Sequence, residues 1–433
     1  MRDGRMNGSW IVLALLVGMA CGVAIAASGA ATPVRIVAAL EPIGTLWLNA
    51  LRMTVIPLVV ALLVTGIASA VETAATGRLA GRAIALFAAG YVLSVVIGAA
   101  FMQGALALWP LDAAARIALR AGAHADMTVV PAMPPPGEWL TGLIPVNPIA
   151  SAVSGTMLPL VVFAVFFGFA AAKLAPAQRA PLVGFFRAVG EAMLVIVHWV
   201  LWAAPVGVFV LALGVGLRGG LTAAGGIVYY LVLLCAVGLL LTVLAYPCAV
   251  AFGRVSLVRF ARAAAPAQVV AFSTQSSLAS LPAMLTGARE TLGVSERVSS
   301  ITLPLAVTLF RVSSPSMNLA VVLFVAHVHG IAVGATVLAA GMLVAAVNSL
   351  SSVGLPGQTS FFTGTVPIAL AMGMPLELLP VLLAVEVVPD IFRTVSNVTA
   401  DLAVAAIVER SERPALASGQ GEIQVEQDRP ANL

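Results

Sequence analysis

Six polar residues share one apolar stretch near the end of the chain. Residues 384–408 read AVEVVPDIFRTVSNVTADLAVAAIV, and Glu386, Asp390, Arg393, Thr394, Asn397 and Asp401 stand in it at offsets of 0, 4, 7, 8, 11 and 15. On a helix these offsets fall within a stripe about 100° wide, and the remaining faces are Val, Ile, Leu, Ala and Phe. The pattern inverts a soluble amphipathic helix, because here the polar stripe must turn away from lipid. A charge at the centre of a membrane helix costs about 2.5–3.5 kcal/mol, so four ionisable groups cost on the order of 10 kcal/mol if left unpaired. Two chemistries meet that cost. Either the carboxylates and the guanidinium pair to stitch helices together, or they bind something charged that passes through; the density of charge favours the second.

The surroundings must therefore be a membrane protein. The chain has 433 residues, of which 61% are hydrophobic and 9% charged, with mean hydropathy +1.07. Soluble domains carry about a quarter charged residues, and long apolar runs recur from end to end, leaving no separate soluble domain. The net charge of +4 is spread over loops, which excludes a nucleic-acid surface. Cys21, Cys235 and Cys248 lie in apolar runs without metal-type spacing and are read as buried, inert thiols. His198, His327 and His329 are read as hydrogen-bonded or helix-end residues. No nucleophile–base pair, metal cluster or phosphate loop stands out, so the chain is read as no enzyme and as needing no cofactor.

Long apolar segments fall near 9–29, 42–71, 83–110, 139–173, 188–217, 221–252, 297–330 and 376–408, and two shorter, interrupted ones near 264–290 and 335–372. Ser9–Ala27 has the shape of a secretory signal but is read as a retained first span, since a second apolar run follows. Eight long spans put both termini on one side. Fifteen Arg and Lys residues lie on that side, only Arg35, Arg116, Arg120 and Arg218 lie opposite, and Arg52, Arg311 and Arg393 remain at membrane depth. The bias predicts cytoplasmic termini in a multi-pass plasma-membrane protein. The Pro-rich loop 111–138 is read as external, and the polar tail 409–433 as disordered.

Each interrupted segment carries a Ser/Gly/Pro cluster, SSLASLP at 276–282 and SSVGLPG at 351–357. Irregular backbone at membrane depth survives only where protein covers it or where it lines a cavity, and paired interrupted segments point to a transporter's binding site. Kinked helices are the plainer alternative. A third interruption is read at Ser313-Ser314-Pro315-Ser316, where Pro315 removes a donor and would free carbonyls for coordination.

These pieces resemble the dicarboxylate/amino acid:cation symporter family, which includes excitatory amino-acid transporters and bacterial glutamate and C4-dicarboxylate carriers. The likeness runs through LRMTVIPLVVALLVTGIAS (51–69), IPVNPIASAVSGTMLPLVVFAVFFGFA (144–170), WVLWAAPVGVFVL (199–211), AFSTQSSLASLP (271–282), GLPG (354–357) and DIFRTVSNVTADL (390–402), in that order. It implies an all-α polytopic membrane protein of eight transmembrane helices and two re-entrant helical hairpins, working as an elevator within a homotrimer. Residues 1–263 would be mainly trimerisation scaffold, with the third and sixth spans joining the transport domain, and 264–408 would be the transport core. By position, Arg393 would hold a substrate carboxylate and Asp390 its ammonium, with Thr394 and Asn397 on the main carboxylate and amine. Ser276, Ser277, Val353, Gly354, Pro356 and Gly357 would complete the pocket from the hairpin tips, the second of which would gate it. Asn397 and Asp401 would hold sodium.

The chain departs from the family at two places, the lesser being Gln358 and Thr359, which replace small residues that commonly follow the second-hairpin glycine. The seventh-span signature Asn-Met-Asp-Gly-Thr is replaced by Phe310, Arg311, Val312, Ser313 and Ser314, a change of +2. Arginine is always charged, so Arg311 could stand permanently in a coupling ion's place; the plainer alternative is that it pairs with Asp390, Asp401 or Glu386. The coupling region therefore comprises Arg311, Ser313, Ser314, Glu386, Asn397 and Asp401. The function expected is secondary active import of acidic amino acids or C4-dicarboxylates with Na+ or H+ as coupling ion, its partners a small anionic substrate and membrane lipid. The alternatives are a proton-coupled or cation-independent carrier of another small carboxylate, an anion-conducting channel, or a non-transporting receptor.

Overall fold

The computed structural model describes residues 8–29, 31–75, 77–122, 136–350 and 357–427, and among these every regular element is helical. In order they are α1 (Gly8–Ser28), α2 (Ala31–Ala75), α3 (Arg78–Leu108), α4 (Ala113–Gly122), α5 (Pro136–Gly142), α6 (Pro148–Ser154), α7 (Met157–Ala172), α8 (Pro176–Trp202) and α9 (Ala204–Gly253). Then come α10 (Leu257–Thr274), α11 (Ser277–Thr286), a π-helical turn (Gly287–Leu292), α12 (Glu296–Leu309), α13 (Ser313–His329), α14 (Ala335–Ser349), α15 (Gly357–Ala371), α16 (Leu379–Val385) and α17 (Val387–Gln427). Seven helical stretches are long and apolar enough to cross a membrane, and α7 and α14 are shorter apolar helices.

Polarity decides which helices sit in the middle. Across an apolar 18-residue window, burial is 83% within Glu296–His329 and 78% within Val387–Glu412, but only 11% within the apolar part of α8. In water the apolar helix would be hidden; in lipid its side chains lose nothing by facing out, and the helices carrying charge must go inside. Phe185, Trp199 and Trp202 accordingly lie exposed on α8, while every residue from Ser313 to Ala326 is buried. Around this centre α1, α4 and α17 pack along α9, α7 and α8 pack on α2, and α3 packs on α13.

Several boundaries differ from those the sequence predicts, each for a local reason. The expected span 139–173 is three pieces: Asn147 caps α6 through its side chain, and Gly155 adopts a left-handed conformation that ends it. The expected span 188–217 breaks at Ala203. The boundary expected near 217–221 is a kink inside α9, where Gly220 takes φ 59° with ψ −153°, a combination that only glycine adopts without strain. The interruption placed at Ser313–Ser316 falls earlier, between Leu309 and Ser313. Pro315 then sits in the first turn of α13, where its missing N–H costs no intrahelical bond, so it frees no carbonyl. The last helix continues to Gln427, through most of the tail that composition reads as disordered; Glu, Gln, Arg and Ala are strong helix formers and outweigh the local Gly and Pro. The cysteines form no disulfide, and none is buried as expected: Cys21 is exposed on α1, and Cys235 and Cys248 are half-buried on α9, since an apolar side chain can face lipid at no cost.

The first interrupted segment folds as two helices, α10 and α11, packed on each other across a two-residue tip at Gln275 and Ser276. Gln275 takes φ 52°, and the Ser276 hydroxyl caps α11 by accepting from the Ala279 N–H at 3.2 Å. In the second, α14 and α15 likewise pack together, while the expected tip, with Val353, Gly354 and Pro356, lies outside the described residues.

Candidate functional site

The stripe predicted from residues 384–408 is buried, and its members meet. A break between α16 and α17 sets Glu386 at their junction, and the first turns of α17 carry Asp390, Arg393, Thr394 and Asn397 inward. Arg393 is 2% exposed and Glu386 1%. Arg393 Nη2 donates to Glu386 Oε1 at 2.8 Å, Nη1 donates to Asn318 Oδ1 at 3.2 Å, and Nε lies 3.7 Å from Asp390 Oδ1. The guanidinium is thus held on three sides by a carboxylate, an amide and a second carboxylate. Thr394 back-bonds to the Asp390 carbonyl at 2.8 Å, which leaves its hydroxyl oxygen free to accept.

The break before α13 meets the same face. The Ser313 N–H and hydroxyl lie 3.0 and 2.8 Å from Asn397 Oδ1, with the Arg393 carbonyl 3.2 Å away as the hydroxyl's other acceptor. One turn beyond Asn397, Asp401 is fully buried, and neither of its carboxylate oxygens finds a hydrogen-bond partner among the described residues. Ser314 Oγ and Glu386 Oε2 are also without one. A buried carboxylate bonded to nothing is costly unless a cation or a proton joins it. Arg311, at the break, is electrostatically attracted to both Asp390 and Asp401.

The first hairpin reaches the site at its tip, where Gln275 Nε2 donates to the Val387 carbonyl at 3.3 Å in the first turn of α17. Ser277 is buried beside it. Of the residues expected from the second hairpin, Gly357 opens α15; the others fall outside the described residues.

Two participants escape the sequence reading. Asn318, which holds Arg393, is a lone amide within the apolar run SMNLAVVLF, and that isolation was a usable signal. Gly364 on α15 leaves room for it: a Cβ there would collide with the Asn318 amide. Tyr91, whose hydroxyl accepts from the Arg311 N–H at 3.0 Å, offered no such signal, since tyrosines in apolar spans are ordinarily interfacial anchors. His327 and His329 lie in the last turn of α13, and His329 Nδ1 is 2.8 Å from the Val325 carbonyl.

The arrangement thus gathers a buried guanidinium, two carboxylates beside it and, farther along α17, a third carboxylate with no hydrogen-bond partner among the described residues. Residues 8–411 match the model of the sodium:dicarboxylate symporter family. The chain belongs to that family. It is 29% identical over 441 residues to the neutral amino acid transporter B(0) of Homo sapiens, covering 92% of this chain and 79% of that protein. It is 25% identical to the proton/glutamate-aspartate symporter of Escherichia coli (strain K12), covering 95% and 94%. It is also 25% identical to the proton/sodium-glutamate symport protein of Bacillus caldotenax, covering 92% and 93%. The family and these relatives are transporters, not enzymes.

Proposed function

We propose that this family member imports acidic amino acids or C4-dicarboxylates by cation-coupled symport across the bacterial plasma membrane, with its coupling altered by Arg311. The observation that carries the reading is the buried Arg393, presented by α17 with Asp390 one turn before it. Arg393 takes the substrate's side-chain carboxylate, Asp390 its ammonium, and Thr394, Asn397, Ser276 and Ser277 the remainder. Both termini are cytoplasmic, the assembly is a homotrimer, and residues 264–408 move as the transport core. The tip at 351–357 is the external gate, which substrate protection of a cysteine placed at Ser352 would check.

Charge supports the coupling part. Glu386, Asp390 and Asp401 against Arg311 and Arg393 sum to −1 before substrate arrives. An Asp at position 312 and a neutral residue at 311, as in the family signature, would make the sum −3, which only bound cations could sustain. Arg311 therefore supplies covalently part of the charge that relatives import, and Asp401 with Asn397 takes the one cation, sodium or a proton, that remains. Uptake into proteoliposomes from a substrate panel, with sodium and pH varied independently and repeated in Arg311→Met, tests this. Concentrative uptake persisting in sodium-free buffer, and lost or made sodium-dependent by Arg311→Met, is expected. Strict dependence of the unmodified protein on several sodium ions overturns the coupling reading, and a non-concentrative flux overturns symport itself.

One observation favours a second reading. Arg393 is already matched by Glu386 at 2.8 Å, so a substrate with a neutral side chain would leave that pair intact. The same panel decides between them: serine or alanine outcompeting aspartate would replace the acidic substrate by a neutral one.

A further inference from the structure

Tyr91 stands on α3, outside every element to which the sequence assigns a site residue. Its ring is 1% exposed and lies 5.6 Å from that of Phe310, which in turn stacks on Phe87 at 4.8 Å. Its hydroxyl donates to the Leu309 carbonyl and accepts from the Arg311 N–H at 3.0 Å. The Ser349 carbonyl is 3.4 Å from the same oxygen.

The location of these partners is the point. Leu309 ends α12, Arg311 lies in the break before α13, and Ser349 ends α14. The last carbonyls and first N–H groups of helices have no partner within their own helix, so a buried break needs an outside donor and acceptor. One phenol supplies both. Its single hydrogen can serve only one carbonyl at a time, so Leu309 and Ser349 compete for it. The break that carries Arg311 and the end of the arm leading to 351–356 are thereby tied to one oxygen.

We infer that Tyr91 is a positioning residue for Arg311: its hydroxyl fixes the backbone from which the guanidinium reaches toward Asp390 and Asp401, and links that placement to the end of α14. The inference rests on Arg311 being the fixed cation of the site. Without the hydroxyl the Phe310 and Phe87 contacts hold α3 against the break, but the Arg311 N–H and Leu309 carbonyl lose their partner, and the guanidinium no longer has a set position.

The test is a double-mutant cycle on the full chain in lipid nanodiscs, read by calorimetric binding of aspartate and of sodium, which needs no turnover. Tyr91→Phe preserves the ring, and its thermal midpoint and oligomer profile identify a folding defect directly. Alone it should weaken aspartate binding in sodium-free buffer about tenfold and create a sodium requirement absent from the unmodified protein. In an Arg311→Met background, with sodium at saturation, the same change should alter affinity less than twofold. An equal loss in both backgrounds, or no loss in either, overturns the positioning role. If Arg311→Met leaves sodium-free binding unchanged, it is the fixed-cation reading that fails, a separate result from the same cycle. A Tyr91→Phe protein that does not fold also overturns the inference, because the hydroxyl is then structural; Tyr91→His, which restores a polar hydrogen-bonding group near that position, should recover sodium-free binding in part if the inference holds.

Discussion

Replacing Glu386 by Gln asks how the charge of the buried guanidinium is shared. Glu386 Oε1 accepts from Arg393 Nη2 at 2.8 Å, and a glutamine amide oxygen can occupy the same place with nearly the same volume. Packing is preserved, and one negative charge is removed, taking the cluster from −1 to zero. A substrate carboxylate on another edge of the same guanidinium would sit roughly 5 Å from the Glu386 carboxylate, and two like charges at that distance with an effective dielectric of about 20 repel by about 3 kcal/mol. Relief of that repulsion should tighten aspartate or succinate binding by roughly 100-fold, since about 1.4 kcal/mol is a factor of ten. A ligand with a neutral side chain carries no net charge and should change less than about threefold. Calorimetry on the purified variant at fixed sodium and pH measures both. Equal shifts for the two ligand classes, or weaker aspartate binding, would refute the assignment of Arg393 to the substrate's side-chain carboxylate.

Two further outcomes follow from the way Arg393 is held. Asn318→Ala removes a hydrogen bond to a charged, buried group, worth about 1.5–3 kcal/mol, and should weaken substrate binding by roughly 10- to 100-fold in calorimetry while maximal uptake at saturating substrate survives; an unchanged affinity would show that Asn318 only packs. Gly364→Ala places a methyl group against the Asn318 amide, so it should reproduce the affinity loss, and combining it with Asn318→Ala should add little beyond either alone.

The polar stripe was legible because membrane burial makes charge costly, so offsets within 384–408 alone turn Glu386, Asp390, Arg393, Thr394, Asn397 and Asp401 to one side, where the fold indeed gathers them. The first hairpin was legible for a similar reason: a Ser-rich tip between apolar arms has few other uses, and Gln275 with Ser276 makes that turn. Helix ends were less so. Gly220 and Gly155 set breaks by backbone conformation, which apolar composition does not record, and Pro315 was misjudged because its effect depends on whether it stands inside a helix or in its first turn. Tyr91 is reached only through long-range pairing with a partner 220 positions away, which no local window contains, whereas Asn318, whose partner is 75 positions away, did leave a local signal as a lone amide in an apolar run.

The departure at Phe310–Ser314 and the orphaned Asp401 are two sides of one arrangement. A buried carboxylate bonded to nothing is ordinarily selected against, so Asp401 persists only where a positive charge visits it or lies within reach. Arg311 meets part of that need from the break next to Asn397's partner Ser313, and Phe310, stacked on Phe87, anchors the residue before it. An arginine there with a flexible backbone would pair with whichever carboxylate came nearest and collapse the site. On the proposed reading, fixing the break from α3 would prevent that collapse, and the cluster's sum of −1 would leave a place for one coupling cation.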